Sequence, residues 1–584
     1  MSSEQQPLIL KDWDQAIADS PHKGFGLFRN ADLESFPGAV KVNKKPGPYF
    51  HDIEGQTFTA DDATDICTCV SDIENNDQNF SGAAVYFTTT DTLPAGLAIN
   101  TIYFLYKISD KTFKVVATYK DSAGSTPGTN FINITDTGTG VHTMHQVPIG
   151  IINWIIEDPR ANTIYMQGSN GRVWFLDGTK AYLLNNSAID TGAAAVTNAS
   201  GNGMAIGSFS NTTQTFLFVF RNASIDVIDI FGIAAREALA WSNAWQSLNT
   251  AVGTANSHHA INGQDDAIYF CDDRYVGSII EKVAQTFDPA NAATYTYTNA
   301  ALDLPPREIA QCLEELGTNL LIGGNKFNKI YPWDRISDSF NLPLAVPEVS
   351  IKRMKNIGEM VYILAGSWGN IYSTPGTYVS FVKKLPNYLT NNEGSITSGP
   401  VEWGGIAAVN GSLLFGVETI TSGNSGVWRL NQSGKLTIDG IPSAGSANVV
   451  GLWAKNEFYY MGYDGGFDGF NSNVYGAVLY SNRETVIHSP LYEVSSKVTK
   501  ASYSRLELVL SKPATSGNVR VGYREDINSG FTTIDTFTAD SANYIFSSEE
   551  IGLIDIENIQ IQVEMSDGNI GSVDVELLEI RLFP

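Results

Sequence analysis

One short phrase returns down this chain and limits what it can fold into. It is a run of two or three apolar β-formers, usually ending in an aromatic and usually preceded by a Gly turn. Its copies are Gly171-Arg172-Val173-Trp174, Gly277-Ser278-Ile279-Ile280, Lys329-Ile330-Tyr331, Asn370-Ile371-Tyr372, Gly426-Val427-Trp428 and Asn473-Val474-Tyr475. The spacing is roughly 40 to 55 residues, within the period of propeller blades. Each copy follows another apolar run across a turn, so the repeating unit reads as a small antiparallel meander. The expected architecture is all-β, a β-propeller of about seven blades. A propeller is a scaffold, so function is sought at its ends, in its central channel and in its added modules.

Candidate blades centre on Ile151–Leu184, Met204–Ile230, Ala260–Val283, Ile309–Trp333, Ile351–Tyr372, Gly405–Leu430 and Val449–Leu479. The second lacks a clean copy of the phrase. In the sixth, Asn410-Gly411 divides two apolar runs, a strong hairpin signal. Ile233–Asn256 and Tyr378–Gly399 break the rhythm and read as insertions. Helical segments are confined to short stretches around Asp12–Ala18 and Ile233–Ala244. Four units follow from these changes of texture. Residues 1–57 form an extended N-terminal arm with a first propeller strand. Residues 58–145 form an inserted small all-β domain, with a hairpin around Ser109-Asp110-Lys111 and a strand at Asn130–Ile134. The propeller occupies 146–488. Residues 489–584 alternate apolar and polar side chains, as in Val519-Arg520-Val521, and read as a C-terminal β-sandwich of jelly-roll type.

With 584 residues, 53 Gly and only 17% charged residues, the composition favours strands and turns. The net charge of −25 argues against a phosphate-gripping or membrane-docking surface. Simple solubility is the plainer reading of that charge, and the sharper one is a surface that lets DNA pass without specific binding. No apolar run reaches membrane-spanning length, and Met1–Gln6 has neither a basic region nor an apolar core of a secretory leader. The four cysteines, Cys67, Cys69, Cys271 and Cys312, are expected to be reduced. Cys67-x-Cys69 has no second half-site for zinc.

Chemistry-bearing patterns are sparse. His142-x-x-His145 suits a helix face but falls in loop or strand, and His258-His259 on a strand would point to opposite faces. The plainer reading of His142 and His145 is that they are surface histidines. There is no nucleophile elbow and no phosphate loop. Paired carboxylates for a propeller glycosidase would have to come from Asp265, Asp266, Asp272, Asp273, Glu314 or Glu315, with nothing to single out a pair. No catalytic, cofactor or metal-ligating residue is assigned, and no cofactor is expected. The most site-like stretch is Tyr463-Asp464-Gly465-Gly466-Phe467-Asp468-Gly469-Phe470-Asn471. Asp464 and Asp468 offer oxygen ligands to a hard cation, but a tight aromatic-lined turn is the plainer reading.

The arm, in Ala18-Asp19-Ser20-Pro21-His22-Lys23-Gly24-Phe25-Gly26, Arg29-Asn30-Ala31-Asp32 and Pro37-Gly38, resembles that of tailed-bacteriophage tail proteins. The inserted domain is similar to a small domain of phage virion proteins. The matching residues are Phe87-Thr88-Thr89-Thr90, Leu93-Pro94-Ala95-Gly96-Leu97, Asn100-Thr101-Ile102-Tyr103-Phe104, Thr112-Phe113-Lys114 and Thr137–Thr143. Val521-Gly522-Tyr523-Arg524 and Ile559–Val563 resemble sandwich domains that close such propellers. The resemblance covers under half the chain. It implies a virion tail protein without enzymatic activity, a nozzle or hub subunit on the genome-ejection conduit, assembled in the host cytoplasm. It further implies a ring of this chain, normally a hexamer, contacting portal, adaptor or other tail proteins and tail fibres. The arm would grip a neighbour. The competing expectation is a tail-attached receptor-binding protein in which Trp403, Tyr463 and Phe467 stack on host glycans.

Overall fold

The computed structural model describes residues 7–11, 13, 17, 25–29, 31–32, 40–42, 47–51, 55–72, 81–99, 101–124, 126–169, 171–177, 180–184, 203–209, 213–221, 223–231, 241–249, 259–390, 401–420, 423–442, 445, 447–455, 458–469, 484–494, 500–514, 517–526, 529–566 and 575–584. Six four-stranded meanders, at 152–183, 203–247, 260–303, 310–345, 351–384 and 401–440, follow one another as blades. The seventh blade takes three strands from 451–469, and its outer strand, Gly47–His51, comes from the arm. The inner strands of neighbouring blades touch all the way round, the seventh meeting the first. The propeller is thus closed by two distant parts of the chain, and Ile151 bridges to Asp464 at the seam.

The repeated phrase is the third strand of its blade in Val173–Asp177, Tyr275–Glu281, Lys329–Trp333, Asn370–Thr374 and Gly426–Leu430. The third strand of the seventh blade is instead Gly466–Gly469, and Asn473-Val474-Tyr475 lies outside the described residues. The aromatic at the end has a physical reason in two blades. Tyr331 Oη donates to Glu308 at 2.9 Å and Tyr372 Oη donates to Glu348 at 3.1 Å. In both cases the carboxylate sits just before the inner strand of the same blade, so the bond ties the third strand to the blade entrance. Glu308, 1% exposed, also accepts from the backbone N–H groups of Ile309, Lys326 and Phe327.

The two expected insertions are corrected. Trp241–Ser247 and Ser380–Lys384 are the outer strands of the second and fifth blades. An outer strand has one free edge, so its sequence is more polar and less periodic than that of the inner three. The expected helix at Ile233–Ala244 runs into the first of these strands, and its remainder lies outside the described residues. Only Trp13 and Ile17 of the stretch Asp12–Ala18 are described. Among the described residues the regular helices are single turns, Tyr119–Ser122 and Asn387–Thr390.

Strands from Gln56–Asp61 to His142–Gln146 close a six-stranded barrel between the arm and the first blade. Phe58, Phe87 and Phe113 fill it, with ring centroids 5.2 and 6.1 Å from Phe58 to the other two. The barrel is seated on the first blade through Tyr119, whose ring meets Phe175 and Tyr182 edge-on. The segment Asn130–Ile134 is not a strand there; it contributes a lone bridge from Phe131 to Val116.

The C-terminal unit begins with Glu484–His488, ahead of residue 489, and it is incomplete without the arm. One sheet runs Val40–Val42, Glu576–Phe583, Ala501–Leu510, Ile545–Ile556, with Leu8–Leu10 also on the Glu576–Phe583 edge. The other runs Leu27–Arg29, Glu484–His488, Asn558–Ser566, Asn518–Arg524, Thr532–Thr538. This alternation between facing sheets is the order of a jelly roll, with arm strands in the position of its first strand. Leu27–Arg29 also pairs, in parallel, with Leu436–Gly440 of the sixth blade. A single hydrogen-bonded sheet therefore passes from propeller to sandwich. Its core is continuous too, from Trp403 and Trp428 through Phe28 to Leu506, Ile561 and Ile580. The arm's described residues are accordingly packed within their own chain: Trp13 is fully buried and donates its Nε1–H to the Leu578 carbonyl at 2.7 Å.

Candidate functional site in the propeller axis

Inner strands of a propeller expose one face to the axis, and here bulges decide which side chains reach it. The inner strands Ile152–Asp158 and Ile351–Ile357 each slip by one residue near their start, between Ile152 and Trp154 and between Ile351 and Arg353. A bulge re-aims the residue that follows it, and in these two blades that residue is Trp154 and Arg353. Both line an axial cavity of about 260 Å³, together with His259, Glu314 and Lys355 among its polar or aromatic walls. The rest of the wall is mostly aliphatic, from residues such as Ile261, Ala408 and Leu452.

Trp154 stands edge-on to His259 at 4.9 Å between ring centroids, and the Arg353 guanidinium lies 6.0 Å from the Trp154 ring. These side chains narrow the axis to a cavity of about 260 Å³. His259 accepts the Leu313 backbone N–H on Nδ1 at 3.3 Å, so its proton is on Nε2. Burial, then the charges of Arg353 and Lys355, pull its pKa down to about 3. Burial lowers the Arg353 pKa, opposed by the nearby Cys312 and Cys271. Those thiols stay neutral, because burial pushes Cys312 up to about 12 and Cys271 well above its ordinary value. Glu314 is raised by burial, with Lys355, 3.4 Å away, opposing. Glu314 is the single carboxylate among the described residues of the cavity wall.

The remaining sequence candidates lie apart from this cavity. Asp265 accepts from Tyr269 Oη at 2.7 Å, Glu315 pairs with Arg335, and Asp272 accepts the Asn249 N–H at 2.6 Å. Asp266 and Asp273 occupy turn positions with φ of 58° and 57°. In the barrel, His142 Nδ1 is 3.0 Å from Thr89 Oγ1 and His145 Nε2 is 2.8 Å from Thr88 Oγ1, so each imidazole has its own partner, and His142 is buried and not at the surface. Cys67 and Cys69 are in the barrel core, where burial raises both thiols, to about 12 and about 11. His22 and His258 lie outside the described residues.

Asp464 and Asp468 do not converge. Asp464 is exposed at the blade seam, while Asp468 is buried and accepts from Tyr463 Oη at 2.8 Å. No group of three or more His, Cys, Asp or Glu side chains is placed to hold a metal ion among the described residues. Trp403, Tyr463 and Phe467 are core residues, at most 6% exposed, and cannot stack on a sugar. The residues that sequence reading missed are Trp154 and Arg353. A signal existed for the second: Lys352-Arg353-Met354-Lys355 places three cations in what had to be an inner strand.

No family model and no curated protein matches the sequence. Solved structures similar to it include the β-propeller domain of Myceliophteria thermophila Cps50 (Swd1), at 9% identity and a TM-score of 0.39, covering 55% of this chain and 96% of that one. The RRP9 WD40 repeats match at 14% identity and 0.38, covering 54% and 88%. U3-55K matches at 14% and 0.37, covering 54% and 89%. These likenesses are of fold alone. The chain is an all-β protein built on a β-propeller.

Proposed function

We propose that this chain is a structural subunit of a bacteriophage virion tail, one member of a nozzle or hub ring that forms part of the genome-ejection conduit. The observation that carries the reading is the single sheet running from the sixth blade through Leu27–Arg29 into the sandwich. A load-bearing joint in a conduit needs its domains locked, and a shared hydrogen-bonded sheet with a common core locks them more firmly than a linker. The narrow propeller axis, a cavity of about 260 Å³, adds a geometric constraint in this reading: DNA would pass between subunits, through the ring, not through a propeller. The net charge of −25 favours free passage of a polyanion. The subunit has no turnover chemistry in this reading. The glycan-binding alternative is weaker because its three aromatic candidates are buried.

The test is the native mass of the purified full chain, with a low-magnification image of the particle it belongs to. Six copies around the tail axis are expected. A chain that stays monomeric at assembly concentrations, or that sits at the tail periphery, overturns the reading.

A further inference from the structure

Arg353 poses a question that its own chain does not answer. Its guanidinium has five N–H donors, and one of them, on Nη1, reaches the Lys352 carbonyl at 3.0 Å. No carboxylate among the described residues pairs with it. Glu314, the one acidic group of the wall, faces Lys355. The two thiols nearby are neutral, and the Trp154 face is a weak substitute for a counter-ion. A guanidinium partly withdrawn from water without an anion is costly to hold. It is held in place here by a bulge, in a cavity of about 260 Å³, beside an imidazole whose Nε2 carries a proton.

We propose that the axial cavity is a binding site for a small oxyanion, a phosphate or a carboxylate. Arg353 would grip two oxygens with its planar fork, Lys355 would add charge, and His259 would donate one neutral hydrogen bond. Trp154 forms an apolar wall that limits the ligand to something compact. The lining carries Arg353, Lys355 and Glu314, a local excess of one positive charge in a chain of −25. That contrast makes the cavity selective for anions over the solvent-exposed surface. The inference is independent of the tail reading: an anion in the axis fits a ring subunit or any other propeller.

The experiment titrates the full chain calorimetrically with inorganic phosphate and, separately, with acetate. Binding in the millimolar range or tighter is expected, with a rise in melting temperature as anion is added. Arg353→Met should weaken binding at least about tenfold, whereas Arg274→Gln, at an exposed ion pair with Asp303, should leave it unchanged. Should Arg353→Met fail to fold, Ala408→Glu places a carboxylate in the same cavity and should abolish binding while raising the melting temperature without anion. No detectable binding of either anion to the unmodified chain, or equal binding to it and to the folded variants, overturns the proposal.

Discussion

Glu308 gathers more of the fourth blade than any contact visible in the sequence. Its carboxylate accepts three backbone N–H groups and the Tyr331 hydroxyl from a fully buried position. Removing the acceptor strands several donors, while removing one donor strands none of the others. Glu308→Ala should therefore cost about 3 kcal/mol or more and Tyr331→Phe about 1.5 kcal/mol, as read from urea denaturation. Equal effects would mean that the backbone donors find water. Two histidines contribute to the pH response. His259 and His488 both have pKa values drawn down to about 3, by burial first and then by neighbouring cations, Arg524 and Arg29 in the second case. Below the ordinary value of 6.5 the unfolded chain takes up protons that the folded chain refuses. Stability contributed by neutral His is full above that pH and falls as the pH drops toward 3. The slope is at most about 1.4 kcal/mol per pH unit for each histidine. His488→Gln should flatten the fall of melting temperature between pH 6.5 and 4 relative to the unmodified chain, and a parallel curve would refute this.

Between blades, the decisive quantity is how closely two backbones approach. A Cβ on Gly416, in the second strand of the sixth blade, would run into the Val449 carbonyl that leads into the seventh. Gly317 has φ of +58° but open space around it. Gly416→Ala is expected to cost several kcal/mol, on the order of 3, since blade must part from blade. Gly317→Ala should cost about 1 kcal/mol, the strain of a left-handed alanine. Thermal melts of the two variants decide it, and a smaller loss at Gly416 would show that the joint has slack. The hairpin turn Asn410-Gly411 has φ of 46° and 76°, the left-handed pair that a two-residue turn requires.

Across the molecule, the arm acts as a fastener at three sites, one being Leu27–Arg29 between the sixth blade and the sandwich. Gly47–His51 completes the seventh blade, and Leu8–Leu10 with Val40–Val42 covers the edge of Glu576–Phe583. A chain starting at residue 52 would expose these edges and those of Leu436–Gly440 and Glu484–His488. Amide exchange in Gly466–Gly469 and Glu576–Phe583 should then quicken at least about tenfold, with the middle blades unaffected. Unchanged exchange at either site would show that the arm is dispensable there.

The fold class was legible because a meander repeated at blade period has few other solutions. The third strands were legible because they are buried on both faces, so their apolar runs are unbroken. The outer strands Trp241–Ser247 and Ser380–Lys384 were not, because an edge strand carries a mixed sequence that resembles an insertion. Trp403, Tyr463 and Phe467 looked like a binding surface because an aromatic beside glycine reads the same in a core as at a rim. Side-chain type and spacing along the chain therefore dictated strands, turns and the propeller repeat, which depend on neighbours a few residues away. Only the three-dimensional arrangement could bring Leu27–Arg29 to Leu436–Gly440, or Trp154, His259 and Arg353 to one axis. Those meetings join residues far apart along the chain, and no local preference encodes them.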